Sequence, residues 1–257
     1  PSPTPATLDV RAVATLPGGE VDSSVAVIRY PHIPTQMVVQ PSNVRFTRAD
    51  VRVMSDLAGY VEGAGDEIPA AIRQLGCQVR LLTPEDLASG DLEEYDVIVI
   101  GVRAFNLRHD LRANMERLNE YVREGGALIV QYNTTADLPS TLGPFPIRIG
   151  NDRVSVEEAP VQILLPRSPL LNFPNKITLS DFENWVQERG LYFPSQWDQR
   201  YETPLASNDP GESSLRGGML FAKHGEGVYV YTSYSWFRQL PAGVPGAYRI
   251  FANLLSQ

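Results

Sequence analysis

The chain has 257 residues, 43% of them hydrophobic, so it can bury a sizeable core and wholesale disorder is not expected. Its formal net charge of −8 is spread without a block of like charge, which makes nucleic acid and anionic membrane surfaces unfavourable partners. No apolar run approaches the roughly 20 residues that span a bilayer, and the single cysteine, Cys77, excludes an intrachain disulfide and a cysteine-based zinc site.

The opening of the chain does not alternate between strand and helix. Residues 1–8 are proline-rich, as in a linker. Apolar residues alternate from Leu8 to Val27 on both sides of Pro17-Gly18-Gly19-Glu20, which predicts a β-hairpin, and the prolines of Tyr30–Pro34 predict an extended segment. We interpret residues 1–48 as a linker and β extension, either an added edge or the end of a preceding β domain, and residues 49–257 as an α/β domain.

The α/β pattern begins near Arg52–Met54. The loop Gly59–Glu67 follows and leads to a helix with Asp66 as its predicted N-cap, because a carboxylate there can accept from free backbone N–H groups. Three further elements are predicted before the centre of the chain: a helix with Ile68, Ile72 and Leu75 on one face, a strand at Cys77–Leu82, and a short helical connection at Pro84–Leu92.

The stretch from Tyr95 to Thr135 predicts a strand, a helix and a second strand. Val97–Ile100 and Ala127–Val130 are apolar runs typical of strands buried on both faces. Between them, apolar residues recur at helical spacing up to the glycine pair that ends the helix: Leu111, Met115, Leu118 and Val122, then Gly125-Gly126. Two strands joined by one helix form a parallel crossover, and in open α/β sheets ligands bind beyond the carboxyl ends of the strands.

The last third of the chain has weaker periodicity. Its predicted elements are extended segments over Val154–Leu165, a loop over Ser168–Ile177, a helix over Ser180–Arg189 capped by Ser180 and Glu183, a hairpin of Met219–Ala222 and Val228–Tyr231, and a final helix with Tyr248, Phe251, Leu254 and Leu255 on one face.

No nucleophilic site is predicted. Cys77 follows a glycine that ends a helix and opens a strand, which indicates a small buried hydrophobe. The position of a nucleophile elbow, after Ala127–Val130, holds Gln131-Tyr132-Asn133-Thr134, without a G-x-S-x-G or G-x-C-x-G pattern. His224-Gly225-Glu226 is predicted to be an exposed turn, and the three histidines form no zinc-binding motif, so no metal site is predicted.

Candidate ligand-binding residues lie instead in the loops at the strand ends. Glu62 and Asp66 belong to a GAGDE loop that forms either a tight structural turn or a ligand contact. Amide, guanidinium and aromatic side chains complete the set: Arg103, Asn106, Gln131, Tyr132, Asn133, Tyr234, Trp236 and Arg238. These groups suit a polar neutral or weakly acidic ligand such as a glycan. Alternatively, they hold loops together through hydrogen bonds to the backbone.

Several of these segments carry a resemblance to a known family: the GAGDE loop, GVRAFN (Gly101–Asn106), YVREGGALIVQYNT (Tyr121–Thr134), FENWVQERGLYF (Phe182–Phe193) and QLPAGVPGAYRIFANLL (Gln239–Leu255). They resemble the C-terminal region of large bacterial LmbE/PIG-L-type deacetylases, which is similar to class I glutamine amidotransferase-like domains of the ThuA-like branch. The resemblance runs from about Val51 to the end of the chain. It implies a flavodoxin-like open parallel sheet with helices on both faces.

The resemblance also implies a parent N-deacetylase whose zinc-dependent catalytic domain precedes this segment. The metal motif of that domain is absent here, so zinc is expected only in that domain and no cofactor is expected in this segment. The glycine-histidine pair that follows the late strand in the ThuA-like branch has no counterpart in Thr232–Trp236. The resemblance therefore supports a domain without amidotransferase activity.

Three functions follow from these observations. The first is a catalytically silent binding module that recognises a glycan or N-acetylated sugar beside the N-terminal domains of its parent. The second is a module that braces the parent enzyme, and the third is a hydrolase that uses Glu62, Asp66 or Glu188 as its base. Because the chain begins at Pro1, we expect an excised domain or a processed product. The compartment stays open, with a bacterial periplasmic or secreted location favoured.

Overall fold

The computed structural model describes residues 6–257, which divide into two compact units. One unit ends at Asp50 and the other is Val51–Gln257. The first five residues of the predicted linker lie outside the described residues, and the first strand begins at Ala6.

The first unit consists of three two-stranded antiparallel ladders. They pair β1 (Ala6–Arg11) with β6 (Asn43–Arg48), β2 (Ala14–Leu16) with β3 (Gly19–Val21), and β4 (Ser23–Ile28) with β5 (Gln36–Pro41). The predicted hairpin from Leu8 to Val27 is therefore wrong in its extent, because only β2 and β3 pair across the turn at Pro17-Gly18. The prediction that Tyr30–Pro34 is extended is also wrong, since the Ile33 N–H donates to the Tyr30 carbonyl in a turn.

The second unit is an α/β structure built on a six-stranded, mostly parallel sheet. Its strand order is β15-β16-β10-β9-β7-β8, and only β15 runs antiparallel. The strands of this sheet are β7 (Leu57–Val61), β8 (Gln78–Leu81), β9 (Val97–Ile100), β10 (Ala127–Gln131), β15 (Met219–His224) and β16 (Gly227–Thr232). Two smaller ladders pair β11 (Ile147–Val154) with β13 (Gly190–Trp197), and β12 (Val161–Ile163) with β14 (Leu205–Ser207).

Seven α-helices are described in this unit: α1 (Ile68–Gln74), α2 (Pro84–Ser89), α3 (Ala104–Leu107), α4 (His109–Ala113), α5 (Met115–Arg123), α6 (Trp236–Gln239) and α7 (Pro245–Leu255). Two hydrophobic clusters form the core. One joins α1 and α7 to Val97, Val99 and Ile129, and the other joins α4 and α5 to Ile98, Ile100 and Leu128. Helices therefore cover both faces of the sheet. No helix within residues 6–257 has the length and hydropathy of a membrane span.

The strands at the centre of the chain are confirmed, and β9 pairs in parallel with β10. The helix between them has the predicted apolar face, but it is interrupted at Asn114, which separates α4 from α5. The first strand is β7 rather than Arg52–Met54. Its Gly59 lies in a tightly packed place, since a Cβ there would lie 3.0 Å from the Leu82 side chain and 3.2 Å from that of Tyr95.

Two other local predictions change. The N-cap of α1 is Glu67, although the Asp66 carboxylate still accepts from the Ile68 N–H at 3.0 Å. The predicted helix over Ser180–Arg189 is wrong. A 3-10 turn, Leu179–Phe182, is capped by Thr178 and Asp181 instead, and the backbone then takes left-handed conformations at Asn184 and Gln187. The late hairpin and the final helix are confirmed.

Candidate functional site

The carboxyl ends of four parallel strands define the candidate site. Because β7, β9, β10 and β16 run side by side in the same direction, the loops after them emerge at one edge of the sheet. This is the edge at which open α/β sheets bind ligands. We call it the carboxyl rim and define it as residues 62–66, 101–106, 131–134 and 233–238, together with side chains that pack on them.

The crevice between the ends of β7 and β9 is filled by protein backbone. A Cβ on Gly63 would lie 2.1 Å from the Val102 carbonyl oxygen, and one on Gly101 would lie 2.8 Å from the Val61 carbonyl oxygen. Only glycine fits at such close backbone approaches. The Ala64 N–H also donates to the Val102 carbonyl at 2.8 Å, which fixes the two loops against each other.

Asp66 lies in this closed turn and its carboxylate is occupied by internal donors. It accepts from the Tyr60 hydroxyl at 2.7 and 2.8 Å and from the Ile68 N–H. Burial, with the nearby Asp66 charge, raises the pKa of Tyr60 well above its ordinary value. The structure thus places Asp66 in a structural turn, whereas the Glu62 side chain on the same loop is exposed.

The two asparagines of the predicted site tie neighbouring loops together. Asn106 donates to the Thr134 and Ala136 carbonyls and accepts from the Thr134 N–H at 2.9 Å. Asn133 is fully buried, accepts from the Phe105 N–H at 3.1 Å and donates to the Gln131 carbonyl at 3.0 Å. These amides fix the loop after β10 against α3, as the loop-holding alternative predicts.

Tyr234 and Trp236 lie in the core. They are 1% and 0% exposed, and the Trp236 indole N–H donates to the Thr232 hydroxyl at 2.9 Å. Their rings pack against Trp185, and Trp236 also packs against Phe251. The prediction that these two rings offer flat faces to a ligand is therefore wrong, because α6 begins at Trp236 and buries the side chain in the core.

Other rings occupy the rim in their place. Tyr132, at 8% exposure, stacks on Tyr192 with the ring centroids 6.0 Å apart and the planes at 4°, and it contacts Phe237 at 5.5 Å. Tyr192 and Phe237 are both partly exposed. Sequence reasoning missed them because Tyr192 belongs to β13, an unpredicted strand, and reaches Tyr132 through a left-handed backbone conformation with φ of 53°.

A charged pair flanks these rings. The Arg238 guanidinium donates to Glu188 and Gln187 and lies 4.9 Å from the centre of the Phe237 ring. The Glu188 carboxylate is therefore already in an ion pair with Arg238, which disfavours its use as a free catalytic base. Burial raises the pKa of Tyr132, while the guanidiniums of Arg103 and Arg238 act in the opposite direction.

Three buried polar atoms of the rim residues have no hydrogen-bond partner among the described residues. Two lie on adjacent strand ends, Nε of Arg103 after β9 and Oε1 of Gln131 at the end of β10, and the third is the hydroxyl of Tyr234, in the core. The Gln131 Nε2 group donates to the Tyr60 hydroxyl at 3.3 Å, so its amide is half satisfied. Arg103 also has a left-handed backbone with φ of 59°, a conformation that costs a non-glycine residue about 1–3 kcal/mol.

The remaining reactive groups lie away from the rim. Cys77 is confirmed as a buried core residue, and burial raises the pKa of its thiol to about 11. His224 lies at the β15–β16 turn, where burial and Arg123 lower its pKa. This turn is at the start of β16, so it is at the edge opposite the rim. Within residues 6–257 no group of three or more His, Cys, Asp or Glu is arranged to hold a metal ion.

Comparisons with known proteins give little beyond this geometry. A scan against protein-family models and a search of curated protein sequences found no match. Among solved structures the chain is similar to the cytoplasmic protein STM3548 from Salmonella typhimurium, with 15% identity over 97% of this chain and 94% of that chain and a TM-score of 0.47. It is also similar to PurLQS from Thermotoga maritima, with 12% identity, coverage of 79% and 98%, and a TM-score of 0.48.

A third similarity is to a β-galactosidase from Bacillus circulans sp. alkalophilus, with 13% identity over 76% of this chain and 31% of that chain and a TM-score of 0.45. Similarities this distant support no conclusion about the function of the chain.

Proposed function

We propose that the chain is a ligand-recognition module without a nucleophile of its own, which binds a glycan or a similar polar ligand at the carboxyl rim. We place it in the flavodoxin-like, class I glutamine amidotransferase-like group, in its ThuA-like branch. The strand order β8-β7-β9-β10-β16 supports this placement, since it matches the flavodoxin-like order 2-1-3-4-5. In this proposal the module accompanies a zinc-dependent N-deacetylase of the LmbE/PIG-L type and positions an N-acetylated sugar for it.

The observation that carries the proposal is the pair of unpartnered atoms on adjacent strand ends, Arg103 Nε and Gln131 Oε1. A buried donor or acceptor without a partner costs about 1–3 kcal/mol, which a ligand that forms the missing hydrogen bond would offset. A sugar hydroxyl both donates and accepts, and can therefore serve either atom. The partly exposed rings of Tyr192 and Phe237, which pack on Tyr132, offer apolar surface on the same rim.

The test is calorimetric titration with N-acetylglucosamine and its β-1,4-linked oligomers. We expect saturable binding that weakens about tenfold or more in Tyr192→Ala, because the ring would supply most of the apolar contact. Tyr30→Ala is the matched control, since Tyr30 is an exposed tyrosine of the first unit, and it should bind as the unchanged protein does. Absence of binding to every sugar by the unchanged protein would refute the proposal.

A second candidate function is the bracing of a parent enzyme, and the loop-holding bonds of Asn106 and Asn133 favour it. In that case the amide side chains of the rim only stabilise the fold and bind no ligand. Removing residues 51–257 from the parent would then lower its thermal stability and leave its preference among substrates unchanged. A change in substrate preference would favour the recognition module instead.

A further inference from the structure

Arg103 lacks the hydrogen-bond acceptors that other partly or fully buried arginines of this unit have. Arg238 is paired with Glu188, and Arg112 with Asp137. Arg189 donates to the carbonyls of Ala159 and Phe182. Arg103 forms no ion pair with any residue that the structure describes, and its Nε is buried without an acceptor.

The backbone holds Arg103 in this state at a cost. Its left-handed conformation lies between the end of β9 and the start of α3, and its N–H donates to the Tyr132 carbonyl at 2.9 Å. The main chain of Arg103 is therefore fixed in a strained turn between a strand and a helix, and its guanidinium is close enough to Tyr132 to act on the pKa of that residue. Strain of this kind persists where the surrounding structure imposes it, and such residues cluster at ligand sites.

None of the nearby carboxylates forms an ion pair with Arg103. Asp66 is turned inward to Tyr60, and Glu188 is neutralised by Arg238. Glu62 is exposed, on the loop after β7, one strand away from Arg103. The Arg103 guanidinium thus has no ion-pair partner among the described residues, although the carboxylates of Glu62, Asp66 and Glu188 outnumber the two guanidiniums of the rim.

We propose that the ligand of the rim carries a carboxylate, bound by Arg103 through Nε–H and the neighbouring Nη–H. This inference rests on the proposed recognition function and specifies its ligand as an acidic sugar, a uronic acid. The guanidinium fork matches the two oxygens of a carboxylate and forms two parallel charge-assisted hydrogen bonds. The pyranose ring would then lie against Tyr192, and its hydroxyls would reach Gln131 Oε1, the second unpartnered atom.

The experiment compares two matched ligands, methyl β-D-glucuronide and methyl β-D-glucoside, by calorimetric titration of the full chain. They differ in the carboxylate alone. We expect the glucuronide to bind about tenfold or more tightly, because hydrogen bonds to charged groups are about twice as strong as neutral ones. Raising the salt concentration should reduce this preference, since part of it is electrostatic.

Variants assign the preference to one side chain. Arg103→Gln should abolish it, with a larger loss of affinity for the glucuronide than for the glucoside, and Arg103→Lys should retain a part of it, because an ammonium has charge but no fork. Arg45→Gln is the control, as it removes the same charge from an exposed ion pair of the first unit. Circular dichroism and melting temperature establish that each variant is folded.

The outcomes separate the two proposals. Equal binding of glucuronide and glucoside would overturn the carboxylate inference and leave the recognition function standing. A preference that survives in Arg103→Gln would overturn the assignment to Arg103. Failure of both ligands and of the N-acetylglucosamine oligomers to bind would overturn the two proposals together.

Discussion

Replacing Arg103 by glycine should make the protein more stable. Glycine adopts the left-handed conformation without the cost of about 1–2 kcal/mol that other residues bear, although it loses about 0.5–1 kcal/mol of additional backbone entropy on folding. Removing the side chain also removes the buried Nε without an acceptor, a relief of about 1–3 kcal/mol. The midpoints of these ranges sum to a gain of about 3 kcal/mol in the free energy of unfolding. For a unit of this size it corresponds to a rise of about 6–12 °C in melting temperature.

The assay is equilibrium denaturation in urea followed by tryptophan fluorescence, with a thermal melt of the same samples. Asn184→Gly is the matched control. Asn184 has a nearly identical φ of 58°, but it is exposed, and asparagine tolerates the left-handed region better than arginine. Its gain should stay below about 0.5 kcal/mol, which is typical of surface substitutions. Destabilisation by Arg103→Gly, or a gain no larger than that of the control, would show that the fold itself satisfies the guanidinium.

Three further outcomes are expected. Asn253→Ala should lower the free energy of unfolding by about 3 kcal/mol or more in urea titrations, because it strands buried groups of Leu170 and Asn175 that bond to the amide at 2.8–2.9 Å. An unchanged midpoint would contradict this. Stability should fall steeply above about pH 10. Burial raises the pKa of tyrosines such as Tyr121 and Tyr231 in the folded state, so that only the unfolded chain loses their protons at about the ordinary tyrosine pKa. Each such tyrosine should contribute about 1.4 kcal/mol per pH unit in denaturation series, and a flat profile to pH 11 would refute it. Finally, Cys77 should react with a thiol reagent at pH 8 only after unfolding, because it is buried with its pKa raised to about 11, and rapid reaction of the native chain would place it at an accessible site.

The strands of the sheet were predictable where the sequence is apolar at every position. Val97–Ile100 and Ala127–Val130 are such runs, and both are fully buried. Strand β7 was missed because Ala58 and Gly59 are small, and only the packing of Leu82 and Tyr95 shows why a side chain there would clash. The predicted helix over Ser180–Arg189 failed for a similar reason. Left-handed residues at Asn184 and Gln187 end any helical pattern, and nothing local in the sequence requires them.

The candidate site shows the same division between local pattern and long-range packing. Strand ends were predictable, and so Arg103, Gln131 and Tyr132 were placed on the rim from the sequence. Burial was not predictable, because the core position of Trp236 depends on its contacts with Trp185 and Phe251, which lie far away in the chain. The stacking of Tyr192 on Tyr132 likewise joins residues 60 positions apart, through a strand that no periodicity revealed.

The packing of the rim also determines where a ligand can bind along it. In the strand order β8-β7-β9-β10-β16, the direction of the chain order reverses between β7 and β9, and this switch point is the expected position of a ligand. Here Gly63 and Gly101 bring the two loops into backbone contact, and Asp66 turns inward to Tyr60, so that position is occupied by the protein itself. The unpartnered atoms lie at the ends of β9 and β10, at Arg103 and Gln131. In the proposed function the ligand therefore lies at the ends of β9 and β10, one strand further along the sheet than the switch point. Side chains rather than backbone amides supply the contacts there.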